Sequence, residues 1–348
     1  MIAPAHRVLI RGGGVAAACC ALLLRRAGFS VCQEAVDRTR LPAILLSDSA
    51  QHLIRDVFGQ PDLFEDLPRI RTRVVSWGVD STPVELPHSA VVISEEQLLY
   101  RLATPTAGLP LSVPDSDARD ADPPPRWTIS TSPPSASHRF GSREASVQPA
   151  ELRDDVEPDA CWIESIEHGW LFLITTAHGA GWLLSVGDTI TDPFGRSRLI
   201  ASKAARLGDP AGRFPAAPQL VSPLCGPGWL ACGSAAMAFD PLCGDGTAHA
   251  IREAILAVAV IQAEANGEVR DALLEHYRAR LTAAFQRHLS LCLAYYRSGG
   301  AGPWWRSEMD AIAEGLAWCE NELRHRPGFR YRLEGFQLNT QPPGPMSS

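Results

Sequence analysis

Lysine is almost missing from this chain. Lys203 is the only one, and every other basic side chain apart from histidine is arginine. A mechanism that needs a titratable amine therefore has a single candidate, because a guanidinium keeps its proton throughout the working range of proteins. Long apolar runs are also lacking: residues 255–261, the most apolar stretch, fall far short of the ~20 residues of a bilayer span. There is no basic excess. The net charge of −7 argues against nucleic acid as a partner, since such binding depends on neutralising phosphates. The nine cysteines form no C-x-x-C pair and the ten histidines no H-E-x-x-H, so no metal is expected. No G-x-S-x-G elbow offers an acyl nucleophile. Nothing reads as an export signal, because Arg11 and three glycines interrupt residues 8–24. An odd number of unpatterned cysteines suits reduced thiols, and a cytoplasmic location is the expectation.

Two glycine-rich turns stand out against these absences. The first, Gly12-Gly13-Gly14-Val15-Ala16-Ala17, follows the apolar run Val8-Leu9-Ile10 and opens a helix over residues 15–27 that stops at Gly28. This G-x-G-x-x-A pattern works by geometry. Gly12 allows a tight turn, Gly14 lets backbone approach a pyrophosphate, Val15 begins the helix, and Ala17 is small enough for the helix to pack on the strand. The helix start then offers free N–H groups to phosphate oxygens. A second strand covers residues 29–35. Its end carries Glu34, near the place where such folds bind a ribose hydroxyl; the next residue, Ala35, cannot do so.

The second turn is Gly233-Ser234-Ala235-Ala236, followed by Phe239-Asp240-Pro241-Leu242-Cys243-Gly244-Asp245-Gly246-Thr247 and a helix over residues 248–263. Gly244 and Gly246 admit a flat ring close to the backbone. The helix beginning near Thr247 aims its positive end at that ring, Asp245 serves as its cap or as a partner of its dipole, and Asp240 before Pro241 fixes the turn. Two such turns imply one extended cofactor gripped from both sides, and FAD has that shape.

Between the turns, residues 49–58 and 95–102 read as helices and residues 73–77 and 91–94 as strands. Residues 161–166, 169–175 and 182–186 read as an antiparallel sheet, with a turn at His178-Gly179-Ala180-Gly181. The proline-rich stretch 104–160, with Pro123-Pro124-Pro125 and Pro133-Pro134, reads in part as a mobile loop around one strand at 127–130. A short helix is expected near 195–207, and residues 269–324 are helical. Trp304-Trp305, after a glycine-rich corner, reads as core, as a lid or as a partner patch.

The segment from Trp229 to Ala257 resembles the second FAD motif of flavin-dependent monooxygenases, tryptophan halogenases and prenyl reductases. The resemblance implies an α/β architecture: a Rossmann-type FAD-binding fold with an inserted antiparallel substrate sheet and a helical C-terminal segment. It divides the chain into a first FAD-binding part (1–104), a loop and substrate-sheet insertion (105–190), a second FAD-binding part (191–268) and a helical cap with tail (269–348). Gly169 to Thr175 resembles the W-x-W-x-I-P strand of the halogenases. Trp170 and Phe172, flanked by His168, would then face the substrate. In that superfamily Gly233-Ser234 would be Gly-Asp, an arginine would stand at Ser94, and the strand at Ser130 would read D-A-S-G-R. These three positions are weakened cofactor anchors. Halogenation is disfavoured, because the halogenases use a lysine from the first third of the chain. The resemblance implies a monooxygenase acting on an aromatic, tryptophan-like substrate, either a small molecule or carried on a protein. NAD(P)H or a flavin reductase would supply electrons. The alternatives are a reductase of alkene or prenyl substrates, and a catalytically silent relative acting as a binding or scaffold protein.

Overall fold

The computed structural model describes residues 7–36, 38–103, 124–132, 137–188, 192–326 and 330–340. Among them are seven α-helices: α1 (Gly14–Arg26), α2 (Asp48–Phe58), α3 (Glu95–Ala103), α4 (Pro193–Arg196), α5 (Gly246–Ala265), α6 (Arg270–Gly299) and α7 (Pro303–Arg324).

In the first sheet Arg7–Arg11 lies next to the central strand, Trp127–Ser130. Ser30–Glu34 and Trp127–Ser130 lie parallel on either side, Trp229–Ala231 runs parallel to the latter, and Cys225–Gly226 closes the edge antiparallel. Val8, Ile10, Ile129 and Leu230 are all fully buried, the mark of parallel strands covered on both faces. Helix α1 returns the chain from the first strand to the second, and α5 packs against it. Ala254, Ala257, Val258, Ala259, Val260 and Ile261 of α5 have no exposed surface. A helix apolar all round can only sit at the centre of a molecule.

The second sheet has nine strands, in the order Ala204–Leu207, Glu144–Leu152, Ala180–Gly187, Gly169–Ala177, Ala160–Ile166, Arg69–Ser76, Val84–Ile93 and Ile44–Ser47; Gly212–Pro215 also pairs with Glu144–Leu152. All neighbours are antiparallel except Arg69–Ser76 and Ala160–Ile166. Residues 44–93 thus join the sheet expected from the later segment. Trp170 opposes Val186, and Trp162 opposes Leu173. This register puts Trp170 and Phe172 on one face and Leu171, Leu173 and Trp162 on the other.

Three segments differ from the sequence expectation. Residues 195–207 hold only the short α4, a 3-10 turn and then the edge strand Ala204–Leu207. The buried carboxylate of Glu164 explains the stop: it accepts the N–H groups of Arg198 (2.7 Å), Leu199 (3.1 Å) and Ile200 (3.0 Å). In the proline-rich stretch the strand Trp127–Ser130 is joined by Ser137–Arg139 and Glu144–Leu152, while residues 104–123 and Pro133-Pro134 lie outside the described residues. Trp305 is fully buried. Its indole N–H donates to the Ile166 carbonyl (3.0 Å) and its ring meets Trp77 edge-on. Trp305 is therefore core, and the lid and patch readings fall away for it, while Ala301 and Pro303 of the corner are exposed. All nine cysteines are free thiols.

Candidate functional site

The first turn adopts the geometry its glycines allow. Gly12 has φ +119 and Gly14 φ +86, values that strain any residue with a Cβ. A Cβ on Gly12 would stand 2.4 Å from the Thr131 hydroxyl, which itself donates to the Gly13 carbonyl (3.3 Å). Val15 and Ala17 are buried beneath the turn. Glu34 ends its strand at the surface, paired with Arg11 at 2.9 Å.

One contact at this turn was not foreseen. A Cβ on Gly14 would lie 2.6 Å from the Arg38 guanidinium and 3.4 Å from the Glu95 carboxylate. Arg38 and Glu95 form a two-pronged ion pair, and Glu95 also accepts the Leu41 N–H at 3.1 Å. Ser94, at the position of the missing arginine, caps α3 through the Gln97 N–H (3.1 Å). The start of α1 thus faces a carboxylate and a guanidinium of this chain.

The second turn lies directly against the first. Gly233 (φ +63) is so close to α1 that a Cβ there would come within 2.8 Å of the Ala16 Cβ. The Cys232 N–H donates to the Ser130 carbonyl (2.8 Å) and the Ser234 hydroxyl to the Thr131 carbonyl (3.2 Å). The strand end at 130–131 therefore ties the two turns together. Past it, Asp240 accepts the Leu242 N–H (2.9 Å) and shapes the turn at Pro241. Gly244 and Gly246 are exposed, with nothing within 4 Å of where a Cβ would stand. Asp245 precedes α5, bonds Arg252 at 2.9 Å and makes no side-chain cap; Thr247 lies half-buried in the first turn of the helix. Neither α1 nor α5 carries a side-chain cap, whereas α2 is capped by Ser47. Both helix starts therefore keep N–H groups that no capping side chain satisfies.

Asp240 turns away from the open loop. Its Oδ2 accepts from Arg143 Nε (2.8 Å) and from the Tyr296 hydroxyl (2.7 Å). Arg143 is fully buried, also pairs with Glu308, and lies over the Tyr296 ring at 4.8 Å. The Trp170 indole donates to the Tyr296 hydroxyl at 3.3 Å. Trp170, with no exposed surface, thus stands behind this network, while Phe172 on the same face is half-buried. His168 lies at the hairpin turn, 3.6 Å from Glu167. His249 stacks on Phe239 at 4.3 Å, and burial pushes its pKa down to about 4.

Glu253 is a buried carboxyl that accepts the Gly233 N–H at 2.8 Å. Desolvation pushes its pKa well above the carboxylate range. In the unfolded chain it ionises at its ordinary value. Its contribution is complete below that value and is lost as pH rises toward the folded one, at about 1.4 kcal/mol per pH unit. Glu253→Gln removes this loss. Its melting temperature, relative to the unsubstituted protein, is expected to climb steadily from mildly acidic to alkaline pH. A difference that stays flat with pH would show that Glu253 is ionised in the fold.

Sequence reasoning found the two turns but not Arg38, Glu95, Arg143, Glu253 or Tyr296. Their roles depend on partners far along the chain. Arg143 meets residues 97 and 165 positions away, and no local spacing signals such a contact.

No protein-family model and no curated protein matches the chain. Solved structures do. The peptidyl tryptophan dihydroxylase QhpG, essential for tryptophylquinone cofactor biogenesis, superimposes with a TM-score of 0.69 at 18% identity, over 97% of this chain and 86% of that one. The myxobacterial chondrochloren halogenase CndH, an FAD-dependent halogenase, gives 0.70 at 15% identity over 94% and 92%. A single-substitution variant of HpxO from Klebsiella pneumoniae, complexed with FAD, gives 0.59 at 14% identity over 93% and 96%. The chain has the fold shared by flavin-dependent monooxygenases and halogenases. Within it lie the parallel sheet of the first turn, the antiparallel sheet beside it and the helical C-terminal segment.

Proposed function

We propose that the chain is an FAD-dependent oxidoreductase, a monooxygenase acting on an aromatic ring that is either free or borne on a protein. The observation that carries this reading is the convergence of the two glycine turns, with Gly233 against Ala16 and two uncapped helix starts beside them. In this assignment the two glycine turns and the strand end at 130–131 that joins them hold the cofactor, and the large antiparallel sheet and the helical C-terminal segment wall the substrate.

The residues fit an extended dinucleotide. Gly13, Gly244 and Gly246 have open space on their Cβ side, and Ser234 is exposed. Glu34 lies at the ribose end and needs only to leave a surface ion pair, an inexpensive exchange. Arg38 is placed to meet a pyrophosphate once it leaves Glu95. When bound, the flavin supplies the redox chemistry. The chain binds it through backbone N–H groups, orients it through the two turns, and offers Phe172 as an apolar wall.

Halogenation is the poorer reading. Lys203 pairs with Glu157 and lies 5.6 Å from the Trp162 ring, on the opposite face of the large sheet from Trp170 and Phe172. A second reading, a silent relative that binds without catalysis, draws support from the Arg38–Glu95 pair across the first turn.

Freshly purified protein is expected to carry, or to take up at one equivalent, FAD with its visible absorption band and a raised melting temperature. Colourless protein whose melting temperature ignores added FAD would sink the enzyme reading and leave the silent one.

A further inference from the structure

Beside the second glycine turn, three side chains that the proposed function leaves unused meet at one point. Cys243 ends the short turn after Pro241, and His288 and Cys292 lie one helical turn apart on α6. Their ligand atoms, Cys243 Sγ, His288 Nε2 and Cys292 Sγ, all fall within 4.8 Å of one another. The two sulfurs are 3.6 Å apart, and Cys292 Sγ is 3.3 Å from His288 Nε2. We propose that these three residues form a binding site for a zinc ion.

The spacing is the first argument. With Zn–S near 2.3 Å and Zn–N near 2.0–2.1 Å, a tetrahedral site separates its two sulfurs by about 3.8 Å and sulfur from nitrogen by about 3.5 Å. The sulfur–sulfur and Cys292–His288 distances are each shorter by about 0.2 Å, and the third pair, Cys243 Sγ and His288 Nε2, lies within 4.8 Å, so an ion enters with small movements of side chains. Both sulfurs are free thiols, with no S–S bond between them.

The donor set is the second argument. Two thiolates and an imidazole are soft ligands that suit a d¹⁰ ion and disfavour calcium or magnesium. Two thiolates also balance a divalent charge, which matters where Cys292 and His288 are buried. His288 and Cys292 are four residues apart on one helix face, the i, i+4 relation that places paired ligands of helical zinc sites on a common ion.

The histidine is already in the required form. Its Nε2 accepts the Asp240 N–H at 2.9 Å, so Nε2 bears the lone pair and the proton lies on Nδ1. A metal takes that lone pair in exchange for the amide, and the Asp240 N–H must then find another acceptor. Phe239 packs edge-on against the ring at 4.5 Å, fixing its plane. Cys243 is half-buried, which leaves an entry path and a fourth position open to water or to a ligand.

The test uses the full chain, reduced and freed of metal by a chelator, with cobalt(II) as the optical probe and zinc as competitor. One equivalent of cobalt is expected to produce the intense visible and charge-transfer absorption of a tetrahedral thiolate site, and zinc to abolish it. Cys243→Ser, whose side chain is partly exposed, and Cys292→Ser should each weaken zinc binding at least tenfold. Cys32→Ser, at the other partly exposed thiol, should leave it unchanged. Circular dichroism establishes that each variant is folded; should Cys292→Ser fail to fold, Cys243→Ser decides alone. Absence of thiolate–cobalt absorption would overturn the site, as would equal zinc binding by the folded Cys243→Ser protein. Formation of a Cys243–Cys292 disulfide in air with no stoichiometric zinc uptake would also overturn it. None of these readouts requires flavin, so the proposal stands or falls apart from the oxidoreductase reading.

Discussion

Arg143→Met is expected to lower the unfolding free energy by about 3–5 kcal/mol, the cost of removing one partner from a buried ionic cluster. The arginine has no exposed surface and stands between Asp240 and Glu308, both almost wholly buried. Its replacement by a shorter, apolar thioether fills part of the space but strands two carboxylates. Their remaining partners are the Tyr296 hydroxyl and the Leu242 N–H at Asp240, and Ser142 at Glu308. These are hydrogen bonds, and they do not neutralise charge. Adding Asp240→Asn and Glu308→Gln to the arginine variant should recover a large part of the loss, since no buried charge is then left unpaired. Urea unfolding of the single and triple variants measures both numbers. A loss below about 1 kcal/mol for Arg143→Met, the level of an exposed pair, would show that water reaches the cluster.

The second large effect is on cofactor affinity. Glu95→Gln is expected to tighten FAD binding by roughly 10–100-fold, corresponding to about 1.4–2.8 kcal/mol. The carboxylate stands beside Gly14 and holds Arg38 by both guanidinium prongs. A pyrophosphate arriving at the start of α1 must therefore displace a like charge and compete for the same cation. Glutamine keeps the shape and can still accept the Leu41 N–H, but it releases Arg38 to the incoming phosphate. Arg38→Ala should act in the opposite direction and weaken binding. Quenching of flavin fluorescence on titration gives both constants. Unchanged or weaker binding by Glu95→Gln would show that the pyrophosphate does not pass this point.

Local chemistry made the two turns legible before any coordinates. Gly12, Gly14, Gly233 and Gly244 all take positive φ, as glycines at tight turns must, and apolar periodicity placed α1, α2, α3 and the hairpin strands within a few residues of their ends. Prolines misled in one place. The stretch around residue 145 reads as irregular, yet Glu144–Leu152 is a strand of the large sheet with neighbours on both sides. Its Pro149 tolerates this because its missing N–H is one fewer bond to satisfy, and its ring lies against Gly208. The polar interior was invisible for a different reason. A buried charge is stabilised by its partners, and Glu308, Asp240 and Arg143 carry no mark of one another in sequence. Nor did the metal-type cluster, whose third ligand lies 49 residues from Cys292, register against spacings that assume nearby pairs.

The distance between those partners sets a timetable for synthesis. Arg143 leaves the ribosome well before Asp240, 97 residues later, and Glu308, 165 residues later. At about 5–20 residues per second, the second carboxylate follows roughly ten to thirty seconds behind the first charge. Until Asp240 emerges, the nascent polypeptide carries a guanidinium destined for a dry interior with neither carboxylate there to receive it. The buried cluster around position 143 therefore cannot be completed until Glu308 of α7 has been made.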